Sequence, residues 1–172
     1  MTDLLDGVVL TPLLPHADDR GAFTEAYRRE WPVGFDPVQW GLIRSEAGTF
    51  RGVHVHPVHH DYLLAIEGTV RVGLHDLRPD SPTYRASVML ELDPGSGALV
   101  IPCGVAHGLD FPDPASLLLG VSHAFDPADE LGCRFDDPDL GLAWSSSAPI
   151  ISERDRGLPP VSALIEELGR GS

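Results

Sequence analysis

Every apolar stretch of this chain is short and closed by a turn. Gly7 to Leu14, Thr69 to Leu77, Ala86 to Leu92, Ala98 to Ile101 and Ser116 to Phe125 are set apart by segments that draw on 18 Gly and 16 Pro. A chain punctuated this often has little room for long helices and reads as short strands packed into a sandwich or barrel. In Thr69-Val70-Arg71-Val72-Gly73-Leu74-His75 the two-residue period puts Val70, Val72 and Leu74 on one face and Arg71, Gly73 and His75 on the other. That alternation predicts a half-buried strand. Turns follow at Arg78-Pro79-Asp80-Ser81-Pro82 and Asp93-Pro94-Gly95-Ser96-Gly97. Pro fixes φ there and Gly admits positive φ, so the strands are expected to follow one another as a meander. Helical spacing occurs at the end of the chain, where Val161, Leu164, Ile165 and Leu168 predict a helix over Pro160 to Leu168 with Gly169 as its stop. No repeat, linker or low-complexity tail divides the 172 residues. A single domain over 1–172 is expected.

Charge narrows the partners. The chain carries 12 Lys+Arg against 26 Asp+Glu, a net charge of −14, and all of its basic residues are Arg. Such an excess of negative charge opposes sequence-independent binding to nucleic acid or to an anionic membrane, so neither is an expected partner. Without Lys there is no Schiff-base chemistry and no phosphate-loop lysine. Any anionic ligand must meet individual Arg residues. Cys103 and Cys133 are too few for a disulfide framework, and the start MTDLLDGVVL has no basic segment followed by a long apolar one. No apolar run approaches the ~20 residues of a membrane helix, and a soluble cytoplasmic protein is expected. Cys103 has no activating cation beside it in the sequence and reads as a buried structural thiol.

Four histidines, His54, His56, His59 and His60, crowd into one short segment. His54 and His56 are two apart in an expected strand, so both imidazoles leave the same face and a barrel interior could hold them together. The wider spacing runs Gly48, five residues, His54-x-His56, four residues, Asp61, six residues, Gly68, with Pro102-x-Gly104-x-x-His107 further on. This resembles the two cupin motifs, with Asp in the usual Glu position. The resemblance implies an all-β cupin fold, a double-stranded β-helix or jelly-roll barrel with a short C-terminal helix. It also implies that His54, His56, Asp61 and His107 could hold a divalent metal. Three imidazoles and a carboxylate suit Fe, Mn, Ni, Cu or Zn. The plainer alternative is a His-rich strand lining a polar pocket. His59 and His60 read as solvated loop residues.

A second resemblance spans about residues 8–165. Asp19-Arg20-Gly21-Ala22-Phe23-Thr24-Glu25, Gln39, Phe50-Arg51-Gly52-Val53-His54, Asp76-Leu77-Arg78-x-x-Ser81-Pro82-Thr83-Tyr84 and Ile101-Pro102-x-Gly104-x-Ala106-His107-Gly108 occur in order. They are followed by Phe125-x-Pro127-x-x-Glu130, Asp137-Pro138-x-Leu140-x-Leu142-x-Trp144 and Ser152-x-x-Asp155. The set resembles the dTDP-4-dehydrorhamnose 3,5-epimerase family, which is itself cupin-fold. Such enzymes need a base that takes a carbon-bound proton next to a ketone, and donors that stabilise the enolate. By resemblance the base is His54, oriented by Asp155, with no cofactor. His107, Arg51 and Gln39 match residues of the sugar pocket. Arg20, Glu25 and Arg154 fall where the family holds the nucleotide, and the fork of Arg suits a diphosphate. Phe23 is expected in the core. The family also implies a homodimer in which N-terminal strands cross to the partner.

Three departures from the family shape the functional expectation. The position of its catalytic Tyr, six before Phe125, is Leu119. The position of its active-site Lys, seven before Gly68, is Asp61. His56 stands two after the base where Gln is usual, and Gly41 stands where the family has Asn. The stretch Arg51-Gly52-x-His54-x-His56 also resembles sugar-nucleotide 3,4-ketoisomerases. His123 shares strand parity with Leu119 and could enter the barrel as a substitute proton donor, or be a partly exposed strand residue or one with a partner in the core. Three readings follow. The first is an isomerase or epimerase on a nucleotide-linked 4-keto-6-deoxyhexose without full 3,5-epimerisation. The second is a metal-dependent cupin acting on another small molecule in natural-product assembly. The third is an inactive binding module.

Overall fold

The computed structural model describes residues 4–170, so the first three and last two residues of the expected 1–172 domain lie outside the described residues. The strands are β1 (Val9–Thr11), β2 (Pro15–Asp18), β3 (Gly21–Thr24), β4 (Gln39–Ser45), β5 (Thr49–Val55) and β6 (Asp61–Glu67). They continue as β7 (Val70–Asp76), β8 (Ser87–Leu92), β9 (Ala98–Ile101), β10 (Val105–Phe111), β11 (Ala115–Val121) and β12 (Leu131–Gly132). Two helices follow, α1 (Glu153–Arg156) and α2 (Val161–Arg170). One five-stranded sheet has the order β1-β9-β6-β11-β4, the other β12-β5-β10-β7-β8, and β2 pairs with β3 as a separate hairpin. This is the expected all-β jelly roll with a short C-terminal helix.

The meander does not hold. Only β2–β3 and β7–β8 pair with their immediate successor, and from β4 to β12 the other consecutive strands pass between the two sheets. Turn residues mark where a strand breaks; they do not state which sheet the next one joins. The two sheets bury Leu63, Leu74, Leu99, Phe111 and Leu117 between them. A second cluster lies behind the β5–β10 sheet, where Phe50, Val53 and Val55 meet Leu140 and the Val161 and Leu164 face of α2. For the same reason β7 is not half-buried: Gly73 and His75 are buried as well. Gly73 lies beneath Trp144 with no room for a Cβ. His75 Nδ1 donates to Ser87 Oγ at 2.7 Å, and Ser87 in turn donates to the Leu140 carbonyl at 2.6 Å.

Further expectations are corrected by the neighbours each residue acquires. Phe23 is 66% exposed, because the β2–β3 hairpin stands off the barrel and none of the described residues covers it. Cys103 is half-buried, whereas Cys133 is the buried thiol, pushed up to about 12 by burial. α2 continues through Gly169 to Arg170, and a glycine costing about 1 kcal/mol is tolerated in a fraying last turn. Among the described residues no helix is long and apolar enough to cross a membrane.

A break in strand regularity positions the site. Across β5 and β10 His107 faces His54 and Leu109 faces Arg51, so two residues of β5, Gly52 and Val53, span one of β10. Strict alternation would send residues 51 and 54 to opposite faces; the bulge returns both to the interior. Gly52 is required there. Its φ is 116°, and a Cβ would stand 2.7 Å from the His107 carbonyl oxygen.

Candidate active site

The sheets enclose a cavity of about 560 Å³. From β5, the residue just after it and β10 come Arg51, His54, His56 and His107; from β4, β6 and β11 come Ile43, Leu63, Leu119 and Val121. One wall is therefore basic and polar and the other mainly aliphatic.

His54 Nε2 lies 2.7 Å from Asp155 Oδ1. Asp155 is placed by a chain of local contacts. The strand before it is tied to β5, with Phe50 N–H donating to the Ile150 carbonyl at 2.9 Å and Ile150 N–H to the Gly48 carbonyl at 2.8 Å. Ser152 then caps α1, its Oγ accepting from Asp155 N–H at 3.0 Å. Gly52 N–H donates to the second carboxylate oxygen at 3.3 Å. Burial by itself would raise the Asp155 carboxyl, but the hydrogen bonds from His54, Gly52 and Ser152 hold it below its ordinary 3.8. An ionised, oriented carboxylate on His54 supports a base and stabilises its cation.

The remaining histidines form a second group. Asp61, at the start of β6, is buried with its oxygens 3.3 Å from His107 Nε2, 3.6 Å from His56 Nε2 and 3.4 Å from His59 Nε2. His56 and His59 stack with ring centroids 3.8 Å apart. Asp129 holds this pair. Its carboxylate accepts from Val58 N–H at 2.8 Å and from His59 N–H at 3.0 Å, and binds His59 Nδ1 at 2.7 Å. Its carbonyl accepts from His56 Nδ1 at 3.0 Å. Burial lowers the His56 imidazole and pushes His107 down to about 4. Burial also acts to lower His59, but Asp61 and Asp129 outweigh it and raise that group. Asp61 would be raised by burial, yet the surrounding imidazoles bring it below 3.8.

The structure thus brings His54, Asp155, His56, Asp61, His107, Arg51, Gln39 and Arg154 to one cavity. Gln39 Oε1 accepts from Phe125 N–H at 2.9 Å, Arg51 Nε donates to Ser45 Oγ at 3.0 Å, and Arg154 Nη2 donates to the Glu130 carbonyl at 2.9 Å. His54 is separate from the expected metal set: it is turned to Asp155, and the donor atoms that lie within 4.8 Å of one another belong to His56, Asp61 and His107 and, in a second group, to His56, His59 and Glu130. His59 is buried rather than solvated, and His60 is half-buried, stacked on Phe35 with centroids 5.3 Å apart. His123 is exposed and outside the cavity; β11 ends at Val121, and the imidazole turns to Ser122 Oγ at 2.9 Å. Within one chain Arg20 and Glu25 also lie off the cavity, where Arg20 pairs with Asp18 and Glu25 with Arg28. Sequence reasoning gave no role to His59, Asp129 or Glu130. The parity of His59 with Asp61 was the one signal for the first, and Asp129 lies too far along the chain to be connected to it.

Comparison with known proteins agrees with this architecture. The family model for dTDP-4-dehydrorhamnose 3,5-epimerase matches residues 2–163. The chain is 32% identical over 170 residues to a dTDP-4-dehydrorhamnose 3,5-epimerase of Streptomyces griseus, covering 93% of this chain and 85% of that one. It is 34% identical over 150 residues to a dTDP-4-dehydrorhamnose 3-epimerase of Streptomyces niveus, covering 81% and 72%. A solved 3'-monoepimerase from Streptomyces bikiniensis in complex with dTDP-quinovose superposes with a TM-score of 0.85 at 28% identity, covering 98% of this chain and 91% of that one. With the fold and the family match in agreement, the chain belongs to the dTDP-4-dehydrorhamnose 3,5-epimerase family.

Proposed function

We propose that this protein is an isomerase or epimerase acting on a nucleotide-linked 4-keto-6-deoxyhexose of the dTDP-sugar type, and that it does not carry out full 3,5-epimerisation. The observation that carries the reading is the 2.7 Å pair of His54 Nε2 and Asp155 Oδ1 in a cavity whose facing wall holds Leu63 and Leu119. His54 removes the proton from a carbon next to the ketone, and Asp155 stabilises the imidazolium that results. The enolate oxygen needs donors, and Arg51 and Gln39 line the same cavity. Proton transfer by His54 asks for no cofactor. Leu119 cannot donate a proton to the opposite face, where by resemblance the family places its Tyr, so inversion of two carbons lacks a partner acid. Among the relatives, a 3-epimerase and a 3'-monoepimerase are named for chemistry at a single carbon, which is the activity favoured here over that of the relatives named 3,5-epimerases.

The reading includes a cytoplasmic homodimer. Arg20 and Glu25 lie off their own chain's cavity, and Phe23 on the same hairpin is 66% exposed, as a segment reaching a second protomer would be. Incubation with dTDP-4-dehydro-6-deoxyglucose, followed by NMR of the sugar, tests the reaction. Turnover that disappears in His54→Asn supports the reading. An unchanged sugar with wild-type protein, or turnover that survives in His54→Asn, rejects it.

A further inference from the structure

We propose that His56, Asp61 and His107, with His59 beside them, form a binding site for one first-row divalent cation of the class that prefers imidazole, such as Zn²⁺, Co²⁺, Ni²⁺ or Fe²⁺. The proposal goes beyond the sugar-nucleotide reading and does not depend on it.

The direction of each hydrogen bond carries the argument. A carbonyl oxygen has no proton to give, so the contacts of His56 Nδ1 to the Asp129 carbonyl at 3.0 Å and of His107 Nδ1 to the Val105 carbonyl at 3.3 Å put the proton on Nδ1 in both rings. The Asp129 carboxylate does the same for His59 Nδ1 at 2.7 Å. In the neutral rings of His56 and His107 Nε2 is then a lone pair. These two lone pairs stand 3.6 and 3.3 Å from the oxygens of Asp61, which also only accept. Three acceptors converge on one space. A cation answers that arrangement, and no Lys exists in the chain to provide it. The nearby Arg51 and Arg154 are engaged by Ser45 and Glu130.

The spacing suits an ion. Metal–donor bonds of about 2.0–2.1 Å in a tetrahedral site set neighbouring donors roughly 3.4 Å apart. The donor atoms of His56, Asp61 and His107 all lie within 4.8 Å of one another, two of the pairs at 3.6 and 3.3 Å. Imidazoles held through Nδ1 by a carbonyl or carboxylate are the outer-shell arrangement that fixes metal ligands in place. All four side chains line the cavity, so an ion held here keeps a position open for an oxygen of a bound molecule.

The test is titration of chelator-treated, tag-free full-length protein with Co²⁺ followed by visible absorption, and with Zn²⁺ by calorimetry. One ion per chain is expected. Asp61→Asn and His107→Gln should each weaken binding at least tenfold, while His54→Asn should leave it unchanged. Thermal unfolding of each variant shows whether it is folded; should Asp61→Asn not be, His107→Gln and a metal-induced rise in wild-type Tm decide the matter. No binding to wild type, or binding retained in both ligand variants, would overturn the proposal. Loss in His54→Asn equal to that in His107→Gln would also overturn it as stated. None of these readouts uses the sugar, so a failed metal site and a failed sugar reaction are told apart.

Discussion

The two walls of the cavity are both built from paired antiparallel strands and do different things. On the β5–β10 wall every chemically active side chain is tethered: His54 to Asp155, His56 to the Asp129 carbonyl, and His107 to the Val105 carbonyl. On the β4–β6–β11 wall Ile43, Leu63, Leu119 and Val121 offer only surface, and the polar groups, Gln39 and Asp61, come from the first residues of their strands. On the reading proposed above, the difference makes the proton chemistry one-sided. A strand can present an apolar face for packing alone, but a polar face needs partners that fix each side chain, and for His54 and His56 these are Asp155 and Asp129, which come from outside the β5–β10 sheet.

The comparison breaks most sharply at His54. His54→Asn should lower kcat by roughly 10²–10⁴, since general-base catalysis contributes about that much. The measurement is turnover by NMR, with KM moving far less than kcat. Asp155→Asn should follow with a smaller loss, because the base remains but its orientation and tautomer are no longer fixed. The same variant has a pH signature. Asp155 is held below 3.8 in the folded protein, so its stabilisation is full above that value and is lost as pH falls through the folded value. Acid unfolding below about pH 4 should therefore be shallower in Asp155→Asn than in wild type, as followed by circular dichroism.

Gly52→Ala tests the bulge that brings Arg51 and His54 to the same wall. With φ at 116° and a Cβ 2.7 Å from the His107 carbonyl oxygen, it should cost about 2–3 kcal/mol and lower Tm by roughly 5–10 °C. The smallest effect is expected from Leu119→Tyr, which gives the aliphatic wall a hydroxyl. Overpacking should cost about 1–3 kcal/mol. The variant should gain slow exchange at a second carbon of the sugar, detected by deuterium incorporation.

How much of this was legible in the sequence depended on whether the cause was local. The pairing of His54 with His56 on one face follows from the two-residue strand period, and the all-β class follows from short runs between Gly and Pro. Arg51 joining them does not follow from that period, because it needs an extra residue in β5 opposite one of β10. His59 was misplaced because its partner Asp129 is 70 positions away, and only folding brings the carboxylate beneath the ring. The metal-type set kept three of its four members and lost His54 for the same reason: Asp155 claims it from 101 positions away. Burial of Gly73 and His75 was likewise hidden, since the residues that cover β7 come from the Leu140 to Trp144 segment.

The most direct measurement is the position of deuterium in dTDP-4-dehydro-6-deoxyglucose incubated with wild-type protein in D₂O. One-sided chemistry predicts incorporation at a single carbon next to the ketone. Incorporation at both C3 and C5 with inversion of both would show that the aliphatic wall holds a working acid and would contradict the account.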